Sequence, residues 1–138
     1  MESAVRRSVD GWNRDDFDAC VSIAHPEIEW RSGVAEQLSG RAAYRGLRGL
    51  RRYWDEWHDI WRVRLGIREM FSAGDTVVLV ACTEARGDSS GVILRQLMGY
   101  VYEFEDGLAR RVRSFRDPAK AFEAARIPEL YSAASQGR

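Results

Sequence analysis

The chain has 138 residues, 45% of them hydrophobic, and its 21 basic and 21 acidic side chains balance to a formal net charge of zero. This length suits a single domain with a real core, so we expect one domain over residues 1–138 with a frayed tail over residues 129–138. The neutral balance excludes a general attraction to nucleic acid or to an anionic membrane.

The cysteines and histidines exclude several kinds of site. Cys20 and Cys82 are isolated in the sequence, which disfavours a disulfide framework or a CxxC site. With only two histidines, a zinc site of ordinary ligand spacing is not expected, and we expect neither a metal nor a cofactor. No apolar run approaches the roughly 20 residues of a membrane-spanning helix, and the N-terminus lacks a signal-peptide core. We therefore expect a soluble, cytoplasmic protein that binds no nucleic acid and no membrane.

Two short helices are predicted at the start of the chain. The first covers Glu2–Asn13, with Ser3 as its N-cap. The second is capped by Asp15 or Asp16 and ends at His25, because a residue that precedes proline avoids the helical region.

A strand, a loop and a third helix follow. Residues 27–31 alternate as a strand does, and the small and polar residues of 32–41 predict a loop. The third helix is predicted over residues 43–61, where large apolar residues recur at steps of three and four and so share one face. These residues are Leu47, Leu50, Trp54, Trp57 and Trp61. Rings of this size either fill a core or form the wall of a cavity.

The second half predicts a four-stranded antiparallel meander. Its strands are residues 61–71, 76–86, 92–104 and 108–116, separated by glycine-containing turns. Asp117 then caps a last helix that begins with Pro118. The order of elements predicts an α+β domain whose sheet has one face under the helices.

The alternation within the strands predicts which side chains face the helices. In the first strand of the meander, Trp61 to Ile67 point inward at the odd positions. In the third strand, Gln96 to Tyr102 do so at the even positions. Glu69 continues the inward parity, and a carboxyl enclosed there would have a raised pKa.

The opposite face of the sheet is expected to carry charge ladders, in which Arg111 and Arg113 pair with Glu103 and Glu84. Apolar residues such as Val101 share this face with the charges. A sheet that is apolar on both sides needs a second cover, so we predict a homodimer through this outer face.

Four stretches together carry a family resemblance: WNRDDFDACVSIAHPEIEWR, AAYRGLRGLRRYWDEW, SAGDTVVLVACTEARG and YVYEFEDGLARRVRSFRDPAKAFEAA. In this order and spacing the chain resembles the SnoaL-like branch of the nuclear-transport-factor-two-like superfamily, which includes polyketide cyclases and ketosteroid isomerases. The resemblance implies a conical, cystatin-like α+β barrel, in which a curved antiparallel sheet wraps around three N-terminal helices and a deep pocket. It implies no single reaction, because the superfamily also includes dehydratases, epoxide hydrolases and proteins without catalysis.

The catalytic acids of these relatives are missing at the matching positions. The general base of ketosteroid isomerases falls at Trp30, and their oxyanion-binding acid falls at Tyr100, whose phenol can still donate a hydrogen bond. The aspartate of polyketide cyclases falls at Ser114, and a slip of two residues brings Val112 or Arg116 there. Neither restores an acid.

Two functions remain open. The first is a protein that binds a hydrophobic small molecule, as an isomerase or cyclase for a carbonyl compound with Tyr100 as donor and Glu69 or His58 as base. The second is a non-catalytic ligand-binding or dimerisation module, in which His58 is a boundary histidine paired with a carboxylate. In both, the expected pocket wall consists of Trp12, Trp30, Trp54, Trp57, Gln96, Met98, Tyr102 and Ser114.

Overall fold

The computed structural model describes residues 1–33 and 43–131. The predicted loop over residues 32–41 lies outside these residues beyond Gly33. In chain order the elements are α1 (Glu2–Asn13), α2 (Phe17–Val21), β1 (Ala24–Ser32), β2 (Ala43–Arg45), α3 (Gly46–His58), β3 (Trp61–Ala73), β4 (Thr76–Gly87), β5 (Ile93–Glu105), β6 (Leu108–Phe115) and α4 (Pro118–Ala124).

The strands form one curved, open sheet in the order β2-β1-β6-β5-β4-β3. The predicted meander is confirmed, since β3, β4, β5 and β6 pair antiparallel in sequence order. β1 departs from this pattern and runs parallel to β6, with Trp30 opposite Val112. Parallel neighbours need a long connection, and here it contains α3 and most of the meander. The predicted α+β architecture is confirmed.

The helix starts differ in their caps. Met1, and not Ser3, occupies the N-cap of α1, which has no side-chain cap. Asp16 caps α2 as predicted and accepts a hydrogen bond of 3.1 Å from the backbone N–H of Ala19. This bond satisfies one of the backbone donors that every helix start leaves open.

Strand pairing shortens the second and third helices relative to their predicted lengths. α2 ends at Val21, and β1 begins at Ala24, so the His25-Pro26 pair lies in a strand. The ladder to β6 is irregular between Ala24 and Glu29, where the proline has no N–H to donate. Residues 43–45, predicted as helix, form β2 and pair with the end of β1. α3 therefore begins only at Gly46, whose φ of +66° suits glycine.

The inner face of the sheet carries the larger core cluster. Val5 of α1 and Leu79 of β4 are fully buried in it, and Met98, Tyr100 and Tyr102 of β5 point into it as their parity predicted. This cluster lies between the sheet and the N-terminal helices. It forms the floor of the cavity described below.

A β-bulge in β3 overturns the inward parity predicted for Glu69. Ile67 lies opposite Ala81 and Glu69 opposite Val80, so Arg68 is an extra residue without a partner in the ladder. One extra residue reverses every later side chain of a strand. Glu69 consequently shares the face of Val80, which packs in the outer cluster, and not the face of Ala81.

The chain's own C-terminal helix covers part of the outer face. Phe122 of α4 is fully buried against Val78, Val80 and Val101. The helix reaches the sheet above Gly99, where an added Cβ would lie only 2.6 Å from the Cβ of Ala121. Val101, which helped to motivate a homodimer, is thus covered within one chain, whereas Ile93 on the same face stays 42% exposed. The homodimer stays a prediction.

The first residues of the predicted tail pack on the sheet. Leu130 and Tyr131 pack against the outer cluster, because the ring of Tyr131 reaches Phe122, with centroids 5.3 Å apart. Residues 132–138 lie outside the described part of the chain.

The predicted charge ladders are present beside this cluster. Glu103 accepts a hydrogen bond of 3.2 Å from Arg113 and lies 3.8 Å from Arg111. Glu84 pairs instead with Arg95, at 3.0 Å.

Candidate functional site

A cavity of about 310 Å³ lies between the inner face of the sheet and helices α1 to α3. Its wall is mostly apolar and aromatic. The structure places on this wall all eight side chains that were expected to line a pocket: Trp12, Trp30, Trp54, Trp57, Gln96, Met98, Tyr102 and Ser114. Leu47, expected on the same helical stripe, is instead 50% exposed.

Tyr53 of α3 is the centre of the aromatic wall, and sequence reasoning missed it. Its ring lies 5.3 Å from that of Trp30, 6.2 Å from Trp12 and 6.0 Å from Trp57, measured between centroids. The signal was present in the sequence, because residue 53 follows Leu50 by three positions and so lies on the same face of the helix.

Phenol and serine hydroxyls cross the floor of the cavity in one row. Tyr100 of β5 lies opposite Ser114 of β6, and Ser114 lies opposite Ser32 of β1. The hydroxyl of Tyr100 makes a long contact of 3.9 Å with Met98 Sδ, a weak acceptor. Burial raises the pKa of Tyr100, and likewise the pKa values of Tyr53 and Tyr102. All three phenols therefore stay neutral at physiological pH and can donate hydrogen bonds.

Two buried polar groups of the wall interact with the phenols. Trp30 Nε1 and Thr83 Oγ1 make no hydrogen bond of ordinary geometry within the described protein, but Trp30 interacts with the phenol of Tyr53 and Thr83 with that of Tyr100. Trp12 on the same wall differs, since its Nε1 donates to the carbonyl of Val63 at 2.9 Å. Thr83 was not among the residues expected from sequence.

Cys20 places a thiol on the cavity wall. Burial raises its pKa from 9.0 to about 11, and Ser8 Oγ, 3.7 Å from the sulfur, offsets part of this rise. The thiol is thus protonated at neutral pH. It is a poor nucleophile, because the thiolate is the reactive form.

The two proposed bases lie away from the cavity. His58 Nδ1 contacts the carbonyl of Trp54 at 2.8 Å, and its Nε2 lies 3.4 Å from Asp15. Its ring stacks on the indole of Trp54 with centroids 4.1 Å apart, so it packs behind the wall. Glu69 faces the opposite side of the sheet because of the bulge. Among the described wall residues none is a carboxylate or an imidazole, and Arg116 supplies the one charge.

The described residues include no group of three or more side chains that could hold a metal ion. The helices of residues 1–33 and 43–131 are also too short or too polar to cross a membrane.

The sequence profile of the SnoaL-like domain matches residues 5–112, which is more than half of the chain. The chain belongs to the SnoaL-like domain family. The match runs from the first helix to the middle of β6 and thus includes most of the cavity wall. No curated protein matches this SnoaL-like domain.

Solved structures share its fold. An NTF2-like protein of unknown function from Burkholderia pseudomallei is 18% identical, with a TM-score of 0.77 over 88% of this chain and 94% of that chain. TerC, co-crystallised with polyporic acid, is 23% identical, with a TM-score of 0.77 over 93% of this chain and 97% of that chain. A putative polyketide cyclase from Xanthomonas campestris is 17% identical, with a TM-score of 0.69 over 86% and 91%. At these sequence identities, the similarity shows a shared fold and nothing about function.

Proposed function

We propose that this SnoaL-like domain binds a hydrophobic small molecule with a carbonyl oxygen in the cavity beneath α3. The observation that carries the proposal is an aromatic wall interrupted by neutral hydrogen-bonding groups, among them the phenols of Tyr53 and Tyr100. Binding sites for small molecules combine such an apolar lining with a few placed polar groups. The phenols would donate to the oxygen of the ligand while the rings bury its hydrocarbon part.

The wall supports binding better than proton abstraction. An isomerase or cyclase that enolises a ketone needs a base within hydrogen-bond reach of the carbon-bound proton. His58 and Glu69 lie elsewhere, and the Cys20 thiol is protonated at neutral pH because burial raises its pKa. Tyr100 could polarise a carbonyl as a donor, but polarisation alone supplies no acceptor for the proton.

The structural neighbours support the ligand class without establishing it. TerC was co-crystallised with polyporic acid, and another neighbour carries the description of a putative polyketide cyclase. Both share the fold that encloses the cavity here.

The proposal is tested by isothermal titration of polycyclic ketones into the protein and two matched variants. Leu65 of β3 lines the cavity, so Leu65→Trp fills it and should abolish binding. Leu97 of β5 packs against the outer cluster, so Leu97→Trp places the same bulk on the other face and should leave affinity within about twofold. Equal affinity in both variants would locate the site outside the cavity.

Incubation of the same ketones with the protein separates binding from catalysis. We expect each compound to be recovered unchanged when the mixture is followed by chromatography. Turnover that Tyr100→Phe abolishes would instead support the isomerase or cyclase hypothesis, with a base not identified in the described wall.

A further inference from the structure

We propose that Arg116 makes the cavity selective for ligands that join an aromatic body to a carboxylate. The rings of the wall bury the aromatic body, and the guanidinium at the mouth of the cavity binds the anionic group. This inference rests on the proposed function and narrows its ligand class from hydrophobic carbonyl compounds in general to those that are acidic.

Leu94 and Arg116 mark the mouth of the cavity. Of the described side chains that line the cavity, these two alone are exposed to solvent, Leu94 to 53%, whereas all the others are buried or half-buried. Leu94 lies near the start of β5, and Arg116 directly follows the end of β6. The part of a ligand that reaches the solvent at this mouth therefore lies beside one apolar and one cationic side chain.

The backbone on both sides of Arg116 is held by packing and capping. Phe115 packs against the outer cluster, so the alternation of the strand turns Arg116 to the inner face. Asp117 caps α4 and accepts a hydrogen bond from the backbone N–H of Ala119. The start of the Arg116 side chain is thus fixed, while its long stem can carry the guanidinium between the cavity and the solvent.

The strand register places Arg116 beside the floor of the cavity. The ladder between β5 and β6 ends with Gly99 opposite Phe115. Arg116 follows at the level of Met98, which is buried and lines the cavity. A ligand packed on this floor can therefore present an anionic end to the guanidinium.

The electrostatics of the wall favour an anion at this position. Arg116 supplies the one charge among the described wall residues, and no carboxylate of this wall repels an anion. A cation beside an apolar surface is less screened by water than a cation on an open surface, and a guanidinium binds a carboxylate through two parallel N–H···O hydrogen bonds. Arg116 has another contact in the protein, but its five N–H donors allow it to keep one partner and bind a second.

The test is a series of three ligands with one aromatic skeleton, titrated into the wild-type protein by calorimetry. Benzophenone is neutral, 4-benzoylbenzoate adds a carboxylate, and methyl 4-benzoylbenzoate masks this charge. We expect the carboxylate to bind about tenfold more tightly than the ester, the equivalent of about 1.4 kcal/mol. An ester that binds as tightly as the carboxylate, or more tightly, would overturn the inference and leave the proposed function intact. Failure of all three to bind would count against the proposed function and the inference together.

Arg116→Gln attributes this preference to the guanidinium. It removes the charge but keeps a polar side chain, so the carboxylate and the ester should bind with equal affinity. Arg95→Gln is the matched control, because Arg95 follows Leu94 in β5 but lies on the outer face, where it pairs with Glu84. It changes the net charge equally and should keep the tenfold preference. A preference that survives in Arg116→Gln, or is lost in both variants, would overturn the role of Arg116.

A filled cavity distinguishes this site from an anion bound to the surface. Leu65→Trp should abolish binding of 4-benzoylbenzoate, because the aromatic body then has no place to enter. Unchanged affinity would show that the carboxylate binds at the surface without the cavity, and would overturn the inference.

The salt dependence of binding to the wild-type protein does not depend on the folding of any variant. An ion pair at a partly exposed mouth is screened by salt. Raising sodium chloride from about 0.05 to about 0.5 M should weaken binding of the carboxylate severalfold and leave the ester within about twofold. An equal change for both ligands would overturn the ion pair with Arg116.

Discussion

The two faces of the sheet use similar residues for different purposes. On the outer face, Val78, Val80 and Val101 are fully buried beneath Phe122, and the arginines beside them pair with glutamates. On the inner face, the rings around Tyr53 enclose a cavity of about 310 Å³.

This difference indicates that the outer face stabilises the fold more than the inner face does. Close packing stabilises a fold, whereas a cavity costs free energy that a ligand can return. We therefore expect residues of the outer face to determine mainly the free energy of unfolding and residues of the inner face to determine mainly ligand affinity. The following substitutions and conditions test this division.

Phe122→Ala should have the largest effect on stability. The side chain is fully buried in the outer cluster, and its truncation should lower the free energy of unfolding by about 3–5 kcal/mol. Urea denaturation measures this loss. Ligand affinity of the protein that remains folded should not change, and a parallel loss of affinity would show that the two faces are coupled.

Alkaline pH should weaken the inner face through Cys20. Burial raises the pKa of this thiol from 9.0 to about 11, so between these values the unfolded state loses the proton while the folded state keeps it. The contribution of Cys20 to stability must then fall by about 2 kcal/mol as pH rises through this window. The buried tyrosines, whose pKa values are also raised, add to the fall at the upper end. Urea denaturation at pH 8 and pH 11 measures the fall. It should be smaller in Cys20→Ala than in Cys82→Ala, and equal falls would exclude Cys20 as the cause.

Thr83→Val should destabilise the protein without ligand. It replaces a hydroxyl that interacts with the buried phenol of Tyr100 by a methyl group, which should lower the free energy of unfolding by about 1 kcal/mol. Thermal unfolding measures this loss. A gain of stability would show that the hydroxyl has no effective partner in the folded protein.

Arg95→Gln should have the smallest effect. Its pair with Glu84 joins β5 to β4, but the two side chains are 67% and 39% exposed. Such pairs contribute about 0.2–1 kcal/mol and are screened by salt. A double-mutant cycle with Glu84→Gln in urea should give a coupling in this range that disappears in 1 M sodium chloride. A coupling that survives in this salt would indicate a less solvated ladder than the exposure implies.

Much of the fold followed from the sequence because its signals are local. The period of α3 and the alternation of β5 each arise within one element, as does the Asp117 cap, which accepts a hydrogen bond from Ala119. The same periodicities brought Trp54 and Tyr100 to the cavity wall without any knowledge of the packing.

The errors concern contacts between distant parts of the chain. β2 was predicted as helix because only its pairing with β1 makes it a strand. Glu69 was placed inward because the bulge at Arg68 is visible only in the register with β4. The cover that α4 gives to part of the outer face was not foreseen, because nothing in the strands shows that this helix returns to them.

The sequence by itself determined the types and order of most elements, the faces of the helices and strands, and the family to which these patterns belong. Only the tertiary structure decided which side chains enclose the cavity and which of the predicted site residues point away from it. The physical reason is that periodicity depends on neighbours along one element. Strand register, bulges and the satisfaction of buried polar atoms depend instead on elements that the fold brings together.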